Sequence, residues 1–206
     1  MSEGGRFRVA LTFDAEHPDR SQCPPGTPER ILDLLAHAGL RSTFFLQGRW
    51  VSAYPETARR VAAANHLVGN HSDHHAHVTE FSEEGLRADV CAAESTIREV
   101  AGVDPRPWFR CPFGDGHDNP RIQGVLDVLG YRNVHWDVEA RDWDERQTAE
   151  SVARAVLDGV RAHGDGAIVL LHTWPGPTPD ALGSIIERLR GDGASFVTVE
   201  EVLGGP

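Results

Sequence analysis

A cluster of four histidines lies within seven residues, at His71, His74, His75 and His77. On a helical turn, residues at positions i and i+4 lie on one face, about 5–6 Å apart at Cβ. His71 and His75 have that spacing and could bind one metal ion between them, while His74 would point elsewhere. Solvated or hydrogen-bonded histidine pairs show the same spacing, so the pair predicts a metal site only if a carboxylate joins it.

Two carboxylates suited to that role follow the first predicted strand, "RFRVALTF", at Asp14 and Glu16. Two histidines, one carboxylate and an open position for water form a typical catalytic zinc site. We therefore expect one divalent metal ion, with zinc as the expected element. The sequence leaves open which of the two carboxylates binds it.

Charged side chains also follow later predicted strands. Arg110 comes directly after the apolar residues "PWF", where an unpaired charge would be costly, so we expect a carboxylate partner. His172 follows "IVLL" and could act as a general acid beside a carboxylate such as Asp142. A surface cation, a hydrogen-bonded core histidine and a turn residue are the alternative interpretations of these three positions.

Strand-like and helix-like segments alternate along the chain, which predicts an α/β fold. Runs such as "AIVLL" suit strands that are buried on both faces of a parallel sheet, and "SEEGLRADVCAAESTIREVAG" predicts a helix capped by Ser82. The segments "YRNVHWDV" and "SFVTVE" are each interpreted as one strand. Seven such β/α units indicate a closed or nearly closed barrel, with an open doubly wound sheet as the alternative. In either fold, residues at the carboxyl ends of the strands are expected to converge.

The composition predicts one domain over residues 1–206, because 206 residues that are 40% hydrophobic can build one sizeable core. A net charge of −11 argues against nucleic acid and anionic membranes as partners. Cys23, Cys91 and Cys111 lack CxxC spacing and are expected to be free thiols without a catalytic role. The N-terminus has no basic segment followed by a long apolar run, so we expect a cytoplasmic protein.

Five ordered segments resemble the motifs of the polysaccharide deacetylases, the family-four carbohydrate esterases with the NodB homology domain. "TFDAE" is similar to TFDDG, "HSDHH" to H[ST]xxH, "RCPFG" to RxPxG, "EARDW" to DxxDW and "LLH" to LxH. The resemblance runs from about Arg8 to Leu203. Each motif is short, but all five occur in order, each at a predicted strand end.

The resemblance implies a distorted (β/α)7-8 barrel that hydrolyses an N-acetyl group on an amino sugar. The expected partner is a small-molecule or oligosaccharide substrate. The resemblance also implies roles for single residues: Asp14 as base, Arg110 as its partner, His71 and His75 as metal ligands, His172 as acid, Asp142 to orient it, Leu170 and Trp143 as walls of the acetyl pocket, and the Phe113 N–H as an oxyanion donor.

The first motif departs from the family pattern, because Ala15 stands where the family has a metal-binding Asp. We favour Glu16 as the ligand and Asp14 as the base. The alternative makes Asp14 the ligand and leaves Glu16, or no residue, as the base. The departure also favours an alternative function, hydrolysis of another C–N bond, as in a cyclic imide, ureide or formamide. A catalytically silent domain that binds metal or sugar is the second alternative.

Overall fold

The computed structural model describes residues 7–18 and 23–205. The predicted domain also includes residues 1–6, 19–22 and 206, which lie outside the described residues. The described strands are β1 (Phe7–Ala15), β2 (Thr43–Leu46), β3 (Leu67–Asn70), β4 (Trp108–Phe109), β5 (Arg132–Asn133), β6 (Val138–Glu139), β7 (Ala167–His172) and β8 (Ala194–Phe196). The described α-helices are α1 (Thr27–His37), α2 (Gly48–Ala53), α3 (Pro55–Ala63), α4 (Glu83–Ala101), α5 (Pro120–Val128), α6 (Ala149–His163), α7 (Pro177–Gly191) and α8 (Val199–Leu203).

The strands hydrogen-bond in the order β5-β4-β3-β2-β1-β7-β6, and β8 pairs with β1 off that path. Pairing is parallel between β1 and β8, β3 and β4, β4 and β5, and β6 and β7. In register, Asn70 of β3 lies opposite Phe109 of β4, so the two strands end side by side. An α/β fold with parallel strands, as predicted from the sequence, is confirmed.

Close contacts group the described residues into two compact units. One unit comprises residues 7–13, 23–43 and 136–205, and its core includes the fully buried strand β7 and the buried faces of α6 and α7. The other comprises residues 14–18 and 44–135. Its core packs α4 against β4 and α5 through Leu86, Val90, Phe109 and Leu126. A single domain over 1–206 stays a prediction.

Helix α4 forms as the sequence predicts. The Ser82 hydroxyl accepts a hydrogen bond from the Gly85 N–H at 3.1 Å, and Gly102 ends the helix with φ 72°. The predicted apolar stripe, which includes Leu86 and Ile97, is buried. No helix in the described part of the chain has the length and apolar content needed to cross a membrane.

Two predicted strands are wrong in extent. The segment "YRNVHWDV" forms two short strands, because β5 pairs with β4 whereas β6 pairs with β7. The segment "SFVTVE" leaves the sheet after Phe196, because Thr198 and Glu201 form a capping box that starts helix α8. Helix α2, of only six residues, was not predicted.

Candidate functional site

In the unit of residues 14–18 and 44–135, the candidate metal ligands lie at or after the ends of strands. Asp14 lies near the end of β1 and Glu16 follows it, while His71 follows β3 directly. His75 lies four residues further on, and all four side chains are buried. The structure thus brings these four predicted site residues together, and their roles stay predictions.

Glu16, His71 and His75 form a compact group whose potential ligand atoms lie within 4.8 Å of one another. Glu16 Oε2 is 3.2 Å from His71 Nε2 and also contacts His75 Nε2. Two imidazole nitrogens and one carboxylate oxygen match the three protein ligands of a typical catalytic zinc site.

The segment from His71 to His75, called here the ligand loop, is irregular rather than helical. Ser72 and His75 have φ values of 63° and 54°, in the left-handed region. The predicted helical turn is therefore wrong, although the His71 and His75 rings still meet, with centroids 4.9 Å apart. The His74 ring does point elsewhere, with Nδ1 2.8 Å from Asp89 Oδ1.

The hydrogen bonds of His71 indicate that its site suits a cation. Its Nδ1 lies 2.9 Å from the Arg110 carbonyl oxygen and must donate to it, so the neutral ring presents the Nε2 lone pair to Glu16 and Asp14. Burial lowers the pKa of His71, but Asp14 and Glu16 outweigh it and raise the pKa above its ordinary value. The groups around His71 Nε2 are therefore suited to hold a cation, either a proton or a metal ion.

The chemistry of His75 fits a metal ion better than a proton. Burial, the largest influence, holds the pKa of His75 below its ordinary value, although Glu16 opposes it. The neutral ring then offers a nitrogen lone pair to a metal. Its Nδ1 is buried without a hydrogen-bond partner among the described residues. We conclude that the residues present fit a divalent ion that accepts nitrogen and oxygen ligands.

Arg110 has the carboxylate partner that the sequence predicted. It is fully buried, and its Nη1 donates to Asp14 Oδ1 at 2.8 Å. Its Nε donates to the Val134 carbonyl at 3.1 Å, and its guanidinium lies 4.1 Å from the centre of the Phe45 ring. Burial lowers the pKa of Arg110, while Asp14 counteracts that effect. The pair holds one Asp14 oxygen in place and leaves Oδ2 directed towards His71.

His172 and Asp142 meet in the unit of residues 7–13, 23–43 and 136–205. His172 Nδ1 lies 2.7 Å from Asp142 Oδ1, and the His172 backbone N–H donates to Asp142 Oδ2 at 2.8 Å. Thr178 Oγ1 also donates to Asp142 Oδ2, at 2.6 Å. The predicted contact between His172 and Asp142 is therefore present, and the orienting role of Asp142 stays a prediction. The sequence did not predict a role for Thr178, because the segment "TWPGPTPD" is typical of an ordinary Pro-rich turn.

The three predicted substrate-binding residues differ in exposure. Leu170 is buried on β7, whereas Trp143 is 42% exposed and its Nε1 donates to Glu139 at 3.4 Å. Phe113 is 55% exposed, has φ 59° and packs its ring 4.4 Å from the centre of the His75 ring. Phe113 therefore lies beside the candidate ligands, and the roles of all three stay predictions.

The three cysteines are free, as predicted. Cys91 is exposed and Cys23 is half-buried, whereas Cys111 is buried. Burial, followed by the charge of Asp115, raises the pKa of Cys111 to about 12. At neutral pH the Cys111 thiol is therefore protonated and a poor nucleophile.

The family model of polysaccharide deacetylases matches residues 2–134. The chain is also 31% identical to a peptidoglycan-N-acetylglucosamine deacetylase of Bacillus cereus, over 96% of this chain and 69% of that relative. The chain belongs to the polysaccharide deacetylase family. A chitooligosaccharide deacetylase of Rhizobium leguminosarum bv. trifolii is 34% identical over 85% of this chain and 75% of its own length. The prediction of a hydrolase family acting on carbon–nitrogen bonds is confirmed.

Solved structures of the family share the fold. A family-four carbohydrate esterase pseudoenzyme from Bacillus anthracis gives a TM-score of 0.85 at 26% identity, over 97% of this chain and 66% of that one. A mutant of it with restored enzymatic activity gives a TM-score of 0.83 at 28% identity, over 97% of this chain and 68% of that one. The predicted fold class, a distorted (β/α)7-8 barrel, is confirmed.

In this member of the polysaccharide deacetylase family, His17 is a further residue of the candidate site, and the sequence assigned it no role. Its Nε2 lies 3.1 Å from Glu16 Oε1, the oxygen that does not face His71 and His75. Its backbone N–H donates to the Gln47 side chain at 3.0 Å, and its φ is 53°. His17 thus restrains the Glu16 carboxylate from the opposite side.

Proposed function

We propose that this protein is a metal-dependent N-deacetylase that removes the acetyl group from an N-acetylated amino sugar, free or in an oligosaccharide. The observation that carries the proposal is the buried Glu16, His71 and His75 group beside the Asp14–Arg110 ion pair. The names of the two relatives, which act on N-acetylglucosamine in peptidoglycan and on chitooligosaccharides, support the substrate class.

In this proposal Glu16, His71 and His75 hold the divalent ion, with zinc as the proposed element. A metal ion there would act as a Lewis acid on the acetamide carbonyl and would acidify water near neutral pH. Asp14 accepts the proton of the attacking water at Oδ2, because Oδ1 is engaged by Arg110 at 2.8 Å. The guanidinium prevents the carboxylate from rotating away, so Asp14 is ready to act as the base.

His172 supplies the proton that the departing amine needs. Its Nδ1 is engaged by Asp142 at 2.7 Å, so the proton leaves from Nε2. Thr178 and the His172 backbone N–H satisfy the other Asp142 oxygen and keep the carboxylate in place. Leu170 and Trp143 are proposed as walls for the acetyl methyl, and the Phe113 N–H as an oxyanion donor. The products are acetate and a free amine.

Catalytic silence is the second candidate function, and two observations favour it. One similar structure belongs to a pseudoenzyme, and Ala15 replaces the Asp of the family's first motif. Against it, the chain retains both proton-transfer residues, Asp14 and His172, with their hydrogen-bond partners. A silent domain would bind zinc or sugar without releasing acetate from any acetamide.

The test uses the zinc-loaded protein and N-acetylglucosamine oligosaccharides, with acetate and free amine measured separately. The wild type should release both in equal amounts. Asp14→Asn should lower kcat by ~10²–10⁴-fold, since a general base contributes about that factor. Asp33→Asn, the same change at an exposed position of α1, should leave kcat unchanged.

Three outcomes would reject this function. Full activity of Asp14→Asn would exclude the proposed base. Ammonia or a ring-opened product without acetate, from a panel of imides, ureides and formamides, would indicate hydrolysis of another C–N bond. Stoichiometric zinc without turnover on any acetamide would indicate the silent domain.

A further inference from the structure

The ligand loop (His71–His75) has no regular structure, yet each of its backbone N–H groups has an acceptor. Only the first of these acceptors is a backbone carbonyl. The five bonds are His71 N–H to Leu46 O at 3.0 Å, Ser72 N–H to Asn70 Oδ1 at 2.9 Å, Asp73 N–H to Asp89 Oδ2 at 3.0 Å, His74 N–H to Asp89 Oδ1 at 3.2 Å, and His75 N–H to Ser72 Oγ at 2.9 Å. Side-chain oxygens therefore accept four of the five hydrogen bonds that backbone carbonyls would accept in a helix or a strand.

Asp89 provides two of these five acceptors. It lies on helix α4, 16 and 15 residues from the two N–H groups that it accepts, and its side chain is 4% exposed. Its Oδ1 also contacts His74 Nδ1 at 2.8 Å. A buried carboxylate is costly unless it is hydrogen-bonded, and these three contacts with the ligand loop use both Asp89 oxygens.

The backbone conformation of the ligand loop is unfavourable and needs hydrogen bonds of this kind to hold it. Ser72 and His75 both have positive φ, a conformation that residues other than glycine rarely adopt. Strained conformations of this kind persist only where the surroundings determine them. From the other side, the Gly48 N–H donates to the Ser72 carbonyl at 3.0 Å and the Arg49 N–H to the Asp73 carbonyl at 3.4 Å. A Cβ at Gly48 would meet the Asp73 carboxylate and lie 3.0 Å from a backbone Cα of α4, so a larger residue there would force its neighbours to shift.

We propose that Asp89 is a positioning residue that fixes the ligand loop, so that His71 and His75 already direct their nitrogens at Glu16 before a metal ion binds. The proposal rests on the proposed function in so far as it treats His71 and His75 as ligands. Partners one step removed from a metal typically contribute 10–100-fold to its affinity. Asp89 acts here through the backbone between the two ligands, and it touches neither ligand side chain.

The first test measures zinc affinity by competition with a chromophoric chelator. Asp89→Asn keeps the shape of the side chain but turns an NH₂ group towards a backbone N–H, so the zinc Kd should rise 10–100-fold. His74→Ala removes only the ring contact and should change Kd less than 3-fold. Glu99→Gln, which removes one negative charge from an exposed position of α4, should leave Kd unchanged. A Kd for Asp89→Asn within 3-fold of the wild type would overturn the proposal.

The second test needs no metal. In metal-free wild type, the amides of Asp73 and His74 should exchange slowly with deuterium. In Asp89→Asn their exchange should be at least 10-fold faster, while the His71 amide, bonded to Leu46, keeps its rate. Equal rates at Asp73 and His74 in both proteins would reject the proposal. A wild type that binds no zinc but shows this exchange pattern would reject the proposed function and leave the positioning role supported.

A second variant covers the case in which Asp89→Asn does not fold. Ser72→Ala removes the acceptor of the His75 N–H, and the ligand loop then keeps its two bonds to Asp89. Its zinc Kd should rise by about 3–10-fold, and the His75 amide alone should exchange faster. If Ser72→Ala, which keeps both bonds to Asp89, raised the zinc Kd 100-fold or more and also accelerated exchange at Asp73 and His74, Asp89 would not fix the ligand loop and the proposal would fail.

Discussion

Single residues of the site depend on one another because they are buried charges. Arg110 and Asp14 form an ion pair, while Glu16 Oε2 faces the imidazole nitrogens of His71 and His75. Burial makes an uncompensated charge expensive, so each carboxylate needs its own cation. For Asp14 that cation is Arg110, and for Glu16 it is the proposed metal.

This difference predicts that removing the Glu16 charge weakens zinc binding, whereas removing the Asp14 charge does not. Glu16→Gln should raise the zinc Kd by at least about 10-fold, because a neutral amide is a poorer ligand than a carboxylate. Asp14→Asn should keep zinc, since the Asn oxygen still accepts from Arg110. Titration with a chelator gives both values. If Asp14→Asn loses zinc while Glu16→Gln retains it, Asp14 is the ligand.

At the scale of elements, the sequence correctly predicted the helix caps, buried faces and strand ends that depend on contacts between residues close together in the chain. The Ser82 cap, the buried stripe of α4 and the strand ends at Asn70 and His172 all follow from hydrophobic spacing and capping residues. These features place Asp14, Arg110, His71 and His172 at strand ends, which is why their partners could be anticipated.

The errors arise where distant residues decide the backbone path. "YRNVHWDV" divides because β4 and β7 lie elsewhere in the chain and pair with its two ends. The ligand loop is not a helical turn because Asp89, 16 and 15 residues away, accepts the N–H groups of Asp73 and His74. The spacing of four residues correctly predicted that the His71 and His75 rings lie close together, but the backbone between them is not helical.

The Ser82 cap of helix α4 can be tested by mutation. It matters for the candidate site because this helix carries Asp89. Ser82→Ala removes the acceptor of the Gly85 N–H and should lower the free energy of unfolding by about 1 kcal/mol. Urea denaturation measures the change. Ser95→Ala, the same substitution at an exposed position inside α4, should be neutral or slightly stabilising. An equal loss in both variants would show that the cap is not the cause.

At the scale of the whole molecule, the five ordered motifs predicted the fold and family, because each places a reactive side chain at a strand end. The net charge argues against nucleic acid and anionic membranes as partners, which stays an expectation, and neither the charge nor the cysteines could indicate a substrate. Phe113 and Trp143, which we propose as substrate-binding residues, are exposed, and their spacing in sequence carries no information about the ligand.

Burial of Cys111 predicts a specific loss of stability at alkaline pH. Its pKa is raised to about 12 in the folded protein from an ordinary value of 9.0. Below pH 9 the thiol is protonated in both the folded and the unfolded state, so its contribution to stability is fully present. Between about pH 9 and 12 only the unfolded state loses the proton, so stability should fall by about 1 kcal/mol per pH unit from this group.

Urea unfolding at pH 8, 9, 10 and 10.5 under reducing conditions measures this loss in wild type and Cys111→Ala. Other groups that titrate in this range, including Tyr131, whose pKa is raised by burial, affect both proteins alike. The difference between the two unfolding free energies should therefore be constant up to pH 9 and then shift by about 1 kcal/mol per pH unit against the wild type. Cys91→Ala, at an exposed position, should show no such shift. Parallel curves for wild type and Cys111→Ala would mean that the Cys111 thiol ionises as readily in the folded protein as in the unfolded chain, and that water reaches it in the native state.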